Sequence, residues 1–436
     1  MNIETMRAVP PPIPEDAKRK GPPPIPEDAA RRRKTEPEYP AAVNRPSFRT
    51  IESKERTTRL RIGMASEAAF DHPDRNEDSF YASPKDGVFL AADGMGGVPA
   101  GDEASRITAE QPTTLSLREG ITEAASPDEL GKAELIKNVF SAGREEIQNR
   151  NAVQEAIKEM ILRMNRKVEE FAKKDPTVRE KALDEYEKNF GPYDEKDERA
   201  PRVLQSILES IGSTVSLAKM WRGPDGKDRI TLGQVGDSRV YRLRNGKLKQ
   251  LTTDDSHVQI LIEEGIKDKD GVPILDDQDV DRLVPKESVF KLAETRRELR
   301  PLLAKYLRSS EPYIRLGDIR AMVTQGVGLG SFMQKQLETE LKPSVTTDTM
   351  EDGDLYLLAT DGITDVLLES EIEEILTRYA ADPQAAAVEL ERLASIRTLQ
   401  GKSGRQEALG DDERSKRKRA KTDDRTGLVI RYERTA

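Results

Sequence analysis

The order of apolar and polar positions along the chain predicts a mixture of β-strands and amphipathic helices. Short apolar runs bounded by glycine, aspartate or other turn residues are typical of buried strands. Such runs occur at 88–92, 214–218, 229–234, 239–243, 355–359 and 427–432. An Asn-Gly pair, Asn245 and Gly246, separates two strand-like segments and predicts a tight hairpin there. We therefore expect antiparallel sheet instead of a purely parallel α/β sheet.

Apolar residues at steps of three and four predict a helical region between about 127 and 175. Its apolar stripe consists of Val153, Ile157, Met160, Ile161, Met164, Val168 and Phe171. A single stripe of this kind normally packs against a core, so we expect this helix to cover a sheet. Further helix-rich segments are expected at about 257–320 and 369–396.

Two of the predicted strands end on an aspartate that is followed by glycine. The run at 88–92 leads into Asp93, and the run at 355–359 leads into Asp361. A buried strand that ends in this way fixes a carboxylate at the rim of the sheet, and the glycine allows a close approach of backbone or ligand. Three further aspartates lie at predicted strand ends or turns: Asp78, Asp237 and Asp423. On this pattern alone, a divalent-metal cluster and ordinary turn chemistry both explain the five aspartates.

Composition narrows the classes of protein and of site. Hydrophobic residues make up 35% and charged residues 35% of the 436-residue chain, so part of it should be solvated helix or disorder. The absence of cysteine excludes disulfides, thiolate catalysis and cysteine-ligated zinc. With only two histidines, any metal site must be built from oxygen ligands.

Charge and hydropathy bear on partners and location. The net charge of -9 argues against nucleic acid as a partner. No apolar run reaches the length of a membrane span, and the first residues lack a signal-type apolar stretch. A cytoplasmic protein without a membrane partner is therefore expected.

Residues 1–57 are predicted to form a disordered, proline-rich tail. The sequence Pro-Pro-Pro-Ile-Pro-Glu-Asp-Ala begins at Pro10 and again at Pro22, and basic residues follow each copy. The repeat is explained either as a flexible spacer or as a two-copy motif that docks a partner protein. The globular domain is expected over 58–436, with insertions at about 176–204, 257–320 and 399–422. The last of these is basic and is interpreted as a solvated loop.

A set of short motifs extends the aspartate pattern over most of the globular part. In chain order they are Asn76-Glu77-Asp78-Ser79, Ala92-Asp93-Gly94-Met95-Gly96-Gly97, Gly212-Ser213-Thr214, Val235-Gly236-Asp237-Ser238-Arg239-Val240-Tyr241, Leu251-Thr252, Gly328-Leu329-Gly330, Leu358-Ala359-Thr360-Asp361-Gly362-Ile363-Thr364-Asp365 and Asp423-Asp424-Arg425-Thr426. The ordered set, over roughly 59–434, resembles the protein phosphatase 2C (PP2C) family of metal-dependent phosphatases, in its bacterial form.

The resemblance implies a fold, an activity and a set of metal ligands. The implied fold is α+β, an α-β-β-α sandwich of two antiparallel sheets flanked by helices. The implied reaction is hydrolysis of phosphoserine and phosphothreonine in proteins by a water that a pair of Mg²⁺ or Mn²⁺ ions activates. Asp93 corresponds to the carboxylate that bridges the two ions, and Gly94 provides a carbonyl ligand. Asp361 and Asp423 correspond to ligands of the second ion, and Asp237 to a ligand of a third.

The resemblance also implies catalytic residues, with two departures from the family pattern. Glu77 and Asp78 correspond to residues that hold metal-bound waters. The family's phosphate-binding arginine falls on Pro73, so Arg75 takes that role or is a surface residue. Met95 stands where some members have a proton-donating histidine.

The chain has two histidines, and only one of them is a candidate for the missing proton donor. His72 lies close to the first motif and is interpreted either as a substitute donor or as a structural residue. His257 is assigned no role.

The implied partners are phosphorylated proteins, among them a serine/threonine kinase and its substrates. The alternative is a catalytically inactive PP2C-like regulatory domain that binds a phosphoprotein or a kinase. A pseudoenzyme usually loses one of its metal-binding aspartates, whereas Asp93, Asp361 and Asp423 are all present. The enzyme is therefore the preferred interpretation.

Overall fold

Two antiparallel β-sheets form the centre of the chain, as seen in a computed structural model. The structure describes residues 47–55, 58–95, 100–114, 127–277, 279–320, 322–333, 335, 338–402 and 421–435. The proline repeats and residues 403–420 of the predicted basic loop lie outside these ranges. Among the helices of the described ranges, none has the length and apolarity needed to cross a bilayer.

The two sheets divide the long strands between them. The first contains β1 (Ser47–Glu55), β2 (Thr58–Glu67), β8 (Arg239–Arg244), β9 (Lys247–Gln250), β13 (Leu355–Ala359) and β14 (Arg425–Arg434), in the order β1-β2-β14-β13-β8-β9. The second contains β3 (Asp78–Ser83), β4 (Val88–Met95), β6 (Val215–Arg222), β7 (Asp228–Val235) and β12 (Ser344–Thr349), in the order β12-β7-β6-β4-β3. A short strand, β5 (Gly212–Ser213), pairs with the end of β4.

Helices cover both outer faces of this pair of sheets. In chain order they are α1 (Gly101–Thr114), α2 (Pro127–Ser141), α3 (Arg150–Lys174), α4 (Pro176–Phe190), α5 (Ala200–Glu209), α6 (His257–Glu263), α7 (Lys286–Leu292), α8 (Arg300–Tyr306), α9 (Gly330–Phe332), α10 (Asp361–Thr364), α11 (Glu369–Arg378) and α12 (Pro383–Lys402). The first five share a core with the second sheet, and α10 to α12 share one with the first sheet.

Strand β4 shows how the sequence builds these layers. Phe89 and Ala91 point into the core between the two sheets, whereas Leu90 and Ala92 point into the core beneath the helices. Because both faces are buried, the strand is a continuous apolar run without alternation. The predicted α+β sandwich of two antiparallel sheets flanked by helices is confirmed.

The long helical region is also confirmed, with a break at residues 142–149. The predicted stripe of α3 lies in the core beneath the second sheet, and its buried members include Ile157, Met160 and Met164. The predicted insertion at about 176–204 contains α4, whose Val178 and Ala182 join the same core. It therefore packs against the domain although its sequence is mostly charged.

The structure corrects the end of the predicted tail. Residues 47–55 form the edge strand β1, which pairs with β2 along its whole length, from Ser47 with Ser66 to Glu55 with Thr58. Edge-strand pairing is made by backbone hydrogen bonds, so a polar segment can supply it without an apolar pattern.

The region at 257–320 has a core of its own. Short helices α6 to α8 and a two-stranded sheet of β10 (Leu283–Pro285) and β11 (Tyr313–Arg315) surround it. Its buried residues include Val258, Leu261, Val284, Leu302 and Ile314. The region therefore folds as a small subdomain between β9 and β12.

Candidate metal and catalytic site

The second sheet brings two of the motif aspartates together. Asp78 begins β3 and Asp93 lies near the end of β4, and the two residues are direct partners in the antiparallel register. Thr214 forms hydrogen bonds with both backbone polar groups of Asp93. Asp93 N donates to Thr214 Oγ1 (3.0 Å), and Thr214 N donates to Asp93 O (2.8 Å).

The first sheet brings the other aspartates to one end as well. Ala359, the last residue of β13, pairs with Arg239 at the start of β8 and with Gly427 near the start of β14. The loops that carry Asp237, Asp361 and Asp423 therefore leave this sheet at a common end.

A threonine joins the aspartates of the two sheets. Thr360 Oγ1 donates to Asp78 Oδ2 (2.7 Å) and accepts from Thr426 N (3.0 Å). The second carboxylate oxygen of Asp78, Oδ1, is buried without a hydrogen-bond partner among the described residues. Burial, followed by the charge of Asp424, raises the pKa of Asp78 well above its usual value.

The two Asp-Gly pairs are explained by close backbone approaches. A Cβ atom on Gly94 would lie 2.1 Å from the Gly101 carbonyl oxygen, and one on Gly362 would lie 1.8 Å from that of Asp424. No side chain fits at these distances, so glycine is required at both positions. The glycines let neighbouring loops close around Asp93 and Asp361.

The charges of Asp93 and Asp237 both interact with that of Asp361. Burial, then Asp361 and Asp78, raise the pKa of Asp93 well above its usual value. Burial, then Asp361 and Asp365, do the same for the pKa of Asp237, whose side chain is almost fully buried. The structure thus gathers these predicted ligands into one self-repelling cluster.

A lysine lies inside this cluster. The Lys421 ammonium group pairs with Asp361 Oδ2 and with Asp423 Oδ2 (2.6 Å), and lies 3.9 Å from Asp365 Oδ2. Burial lowers the pKa of Lys421, but the charges of Asp361 and Asp423 outweigh it and raise that pKa well above its usual value. The other oxygen of Asp361, Oδ1, is buried and has no hydrogen-bond partner among the described residues.

The predicted catalytic residues Glu77 and Arg75 lie together beside Asp424. Glu77 N donates to Asp424 Oδ2 (2.5 Å), and Ala69 N donates to Asp424 Oδ1 (2.6 Å). Arg75 Nη2 lies 2.6 Å from Glu77 Oε1, and its side chain is 39% exposed. Arg75 therefore orients Glu77 while it stays accessible from solvent.

The two histidines have backbone partners. His72 Nδ1 lies 2.8 Å from the Arg75 carbonyl oxygen, and His257 Nε2 lies 2.8 Å from that of Glu298. His257 is buried in the subdomain, where burial lowers its pKa. Both positions are consistent with structural roles.

The oxygen ligands of this cluster fit a hard divalent cation, although the ammonium group of Lys421 lies at its centre. Among the described residues, no three acidic or histidine side chains stand arranged as a ready-made metal site. The Lys421 ammonium group lies where Asp361 and Asp423 converge, which is where a cation is needed. Buried carboxylate oxygens without partners on Asp78 and Asp361 are the ligand type that Mg²⁺ and Mn²⁺ prefer.

Sequence reasoning missed three residues that shape the site. Asp424 ties the Glu77 loop to β14, Asp365 lies near the lysine, and Lys421 balances the cluster. Asp424 and Asp365 stand within the quoted motifs, whereas Lys421 was counted with the basic loop. Its position two residues before Asp423 was the available signal, because alternate residues of an extended segment point to the same side.

A polar cavity of about 150 Å³ lies beside the site. Its lining includes Asp255, Gln259, Arg296 and Gln325. Asp255 Oδ2 accepts from the backbone N of Gly236 (3.0 Å), the residue before Asp237. Burial raises the pKa of Asp255 to about 7.

Part of the chain is similar in sequence to known protein phosphatases. Residues 71–260 match the family model described as protein phosphatase 2C. Serine/threonine protein phosphatase PstP of Mycobacterium tuberculosis is 28% identical over 173 residues, which cover 40% of this chain and 23% of that protein. Serine/threonine phosphatase stp of Listeria welshimeri is 26% identical over 170 residues, which cover 39% of this chain and 45% of that protein. The match thus spans less than half the length of either relative.

A crystal structure of the catalytic domain of PstP in complex with 2 manganese ions is also similar. It has a TM-score of 0.43 and 21% identity, and the match covers 86% of this chain and 100% of that one. Because this TM-score is low, the assignment of the chain to an α+β sandwich depends on its own strand order. The matched segment, residues 71–260, and the ordered motifs around Asp93 and Asp361 make this part of the chain similar to the protein phosphatase 2C family.

Proposed function

We propose that this chain hydrolyses phosphoserine and phosphothreonine in proteins with the help of Mg²⁺ or Mn²⁺. The observation that carries the proposal is the convergence of Asp78, Asp93, Asp237 and Asp361 at one end of the sandwich. The match of residues 71–260 to the phosphatase 2C family model supports the interpretation of this acidic end as a metal site.

The proposed metal ligands are the carboxylates of Asp93, Asp361 and Asp423 and the backbone carbonyl of Gly94, with Asp237 at a third ion. When bound, divalent cations neutralise the charge of a phosphate monoester and lower the pKa of water. Every ligand in the set is an oxygen, so soft metals are not expected.

The remaining site residues orient water and phosphate. Thr360 occupies one carboxylate oxygen of Asp78, which leaves Oδ1 directed to accept a hydrogen bond from water. Burial raises the pKa of Glu77 above its usual value, and we propose that its carboxylate accepts a hydrogen bond from water. Arg75, next to Glu77 and partly exposed, is the proposed phosphate contact.

Phosphorylated proteins are the proposed substrates, among them a serine/threonine kinase and its targets. The duplicated repeats that begin at Pro10 and Pro22 are proposed to dock such a partner. Two weakly binding copies on one chain bind more tightly than one because the second contact is intramolecular.

The lysine in the acidic cluster favours a second candidate function. A chain in which Lys421 permanently replaces the metal ions would bind phosphoproteins without hydrolysing them. This inactive regulatory domain differs from the enzyme in one observable, the release of phosphate.

The test is phosphate release by the purified full-length chain from a phosphothreonine peptide, with Mn²⁺ or with EDTA. A phosphotyrosine peptide of the same sequence serves as the substrate control, and Asp93→Asn as the protein control. The proposal predicts release from the phosphothreonine peptide with Mn²⁺ alone, and little from either control. Binding of the peptide without release above the Asp93→Asn level would favour the inactive domain.

A further inference from the structure

Lys421 is connected to the site by a short and well-defined segment. It lies two residues before Asp423, on the approach to β14, and its side chain is 30% exposed. Its four-carbon stem brings the ammonium group to Asp361, which follows the neighbouring strand β13 at the same end of the sheet. The contact therefore joins the two loops that supply the proposed ligands of one ion.

The carboxylate atoms that hold Lys421 are atoms a metal ion needs. Lys421 pairs with the Oδ2 atoms of Asp361 and Asp423, and a dication bound to them would lie within a few Å of the ammonium group. Like charges at such a distance repel strongly where the surrounding protein partly excludes water, and these side chains are at most 30% exposed. A seated lysine and a bound dication therefore exclude each other.

The cluster also needs a positive charge when metal is absent. The half-buried Asp93 and the buried Asp237 both interact electrostatically with Asp361, and carboxylates brought together in this way destabilise one another. Lys421 supplies one positive charge at the centre of this group. Its partial exposure leaves a path by which the flexible side chain can move out into solvent.

We propose that Lys421 is a built-in counter-ion that holds the metal-free site together and leaves it when a divalent cation binds. It is a positioning residue that sets the metal affinity of the site. The inference rests on the metal dependence in the proposed function, and it adds an intramolecular competitor to the site.

Calorimetric titration of Mn²⁺ into variants of the full-length chain tests the competition. Lys421→Met removes the charge and keeps much of the stem, Lys421→Arg keeps the charge, and Lys247→Met is the matched surface control. Lys247 is 84% exposed and lies 3.6 Å from a single carboxylate, that of Glu373. We expect Lys421→Met to bind Mn²⁺ at least about tenfold more tightly than the wild type. Lys421→Arg and Lys247→Met should stay close to the wild-type Kd.

A second measurement uses the wild type alone and so does not depend on how a variant folds. Lysine acetylation is followed by mass spectrometry with and without Mn²⁺. A paired ammonium group reacts slowly, so Mn²⁺ should raise the labelling rate of Lys421 several-fold and leave that of Lys247 unchanged.

The outcomes separate this inference from the proposed function. Equal Mn²⁺ affinity in the wild type and Lys421→Met, or unchanged labelling of Lys421, overturns the counter-ion role and leaves the phosphatase proposal standing. Binding by Lys421→Met but not by the wild type supports the competition and contradicts metal-dependent activity of the natural chain. Absence of binding in both overturns both.

Discussion

Arg320 donates a hydrogen bond from Nη2 to Asp365 Oδ1 (2.5 Å), which links the subdomain region to the loop after β13. Its Nε atom donates to Asp277 Oδ2 (3.1 Å), and Arg239 Nη2 donates to the same oxygen (2.7 Å). Both arginines are buried. A buried ionic network therefore connects the subdomain to residues adjacent to Asp237 and Asp361.

Asp277→Asn should weaken this connection. The change removes the charge that two buried arginines share, while Arg239 keeps Asp254 and Arg320 keeps Asp365. We expect a loss of about 1–3 kcal/mol in the free energy of unfolding, measured with urea. The control Asp270→Asn, at an exposed aspartate paired with Lys269, should cost less than about 0.5 kcal/mol. Equal effects of the two variants would show that the network adds no stability.

Asp93→Asn should separate activity from stability. The loss of a metal ligand should lower phosphate release more than about 100-fold. Because burial and neighbouring carboxylates raise the pKa of Asp93, removing its charge should increase the free energy of unfolding of the metal-free chain at pH 8. Thermal unfolding in EDTA and a peptide assay in Mn²⁺ measure the two effects. Activity within tenfold of the wild type would remove Asp93 from the ligand set.

Gly362→Ala should disturb the site through the backbone. The new Cβ would overlap the Asp424 carbonyl, so the loop that holds Glu77 must shift. We expect a cost of about 3 kcal/mol in unfolding free energy, together with reduced activity. Gly131→Ala is the matched control, because a Cβ there meets nothing within 4 Å and lies inside helix α2. That variant should gain about 0.5–1 kcal/mol, and a similar gain in Gly362→Ala would refute the close approach.

The raised pKa of Asp255 predicts a pH-dependent stability difference. Its pKa is about 7 in the folded chain, against a usual value of 3.8, so the folded state binds the proton more tightly than the unfolded state. This group's contribution to stability is therefore present below pH 4 and is lost as pH rises towards 7. Relative to the wild type, Asp255→Asn should gain about 2–4 kcal/mol between pH 4 and pH 8, measured by urea unfolding. A difference that stays constant with pH would contradict this.

Two truncations should distinguish the tail from the sheet. Deletion of residues 1–46 should leave stability and peptide hydrolysis unchanged, and should weaken action on phosphoproteins in a lysate. Deletion of residues 1–57 should also lower the unfolding temperature, because it removes β1 and exposes the edge of β2. Unchanged lysate specificity after the shorter deletion would support a spacer instead of a docking segment.

The elements that could be predicted from the sequence are those whose apolar residues must all be buried in the core. The runs that became β4 and β13 are buried on both faces, so their composition alone marks them as strands. Edge strand β12 alternates between half-buried and exposed residues in a polar sequence, Ser-Val-Thr-Thr-Asp-Thr, and gives little signal. The sequence of strand β1, Ser-Phe-Arg-Thr-Ile-Glu-Ser-Lys-Glu, is also mostly polar and therefore does not mark it as a strand.

The site could be predicted only in part for a related reason. Asp93 and Asp361 follow apolar runs, so their place at the sheet rim follows from the chain itself. The contact between Lys421 and Asp361 joins residues 60 positions apart in sequence, and no local pattern encodes it. The same holds for the cross-sheet bond of Thr360 with Asp78. The predicted roles of Glu77, Asp78, Arg75 and the metal ligands stay predictions.

The central claim is that the acidic end of the sandwich is a divalent-metal site. Its most direct test is a crystal structure of the chain grown with Mn²⁺, with an anomalous difference map at the manganese edge. We predict anomalous peaks within coordination distance of Asp93, Asp361 and Asp423, with the Lys421 ammonium group moved out of the cluster. A map without peaks at saturating Mn²⁺, with Lys421 still between Asp361 and Asp423, would contradict the account.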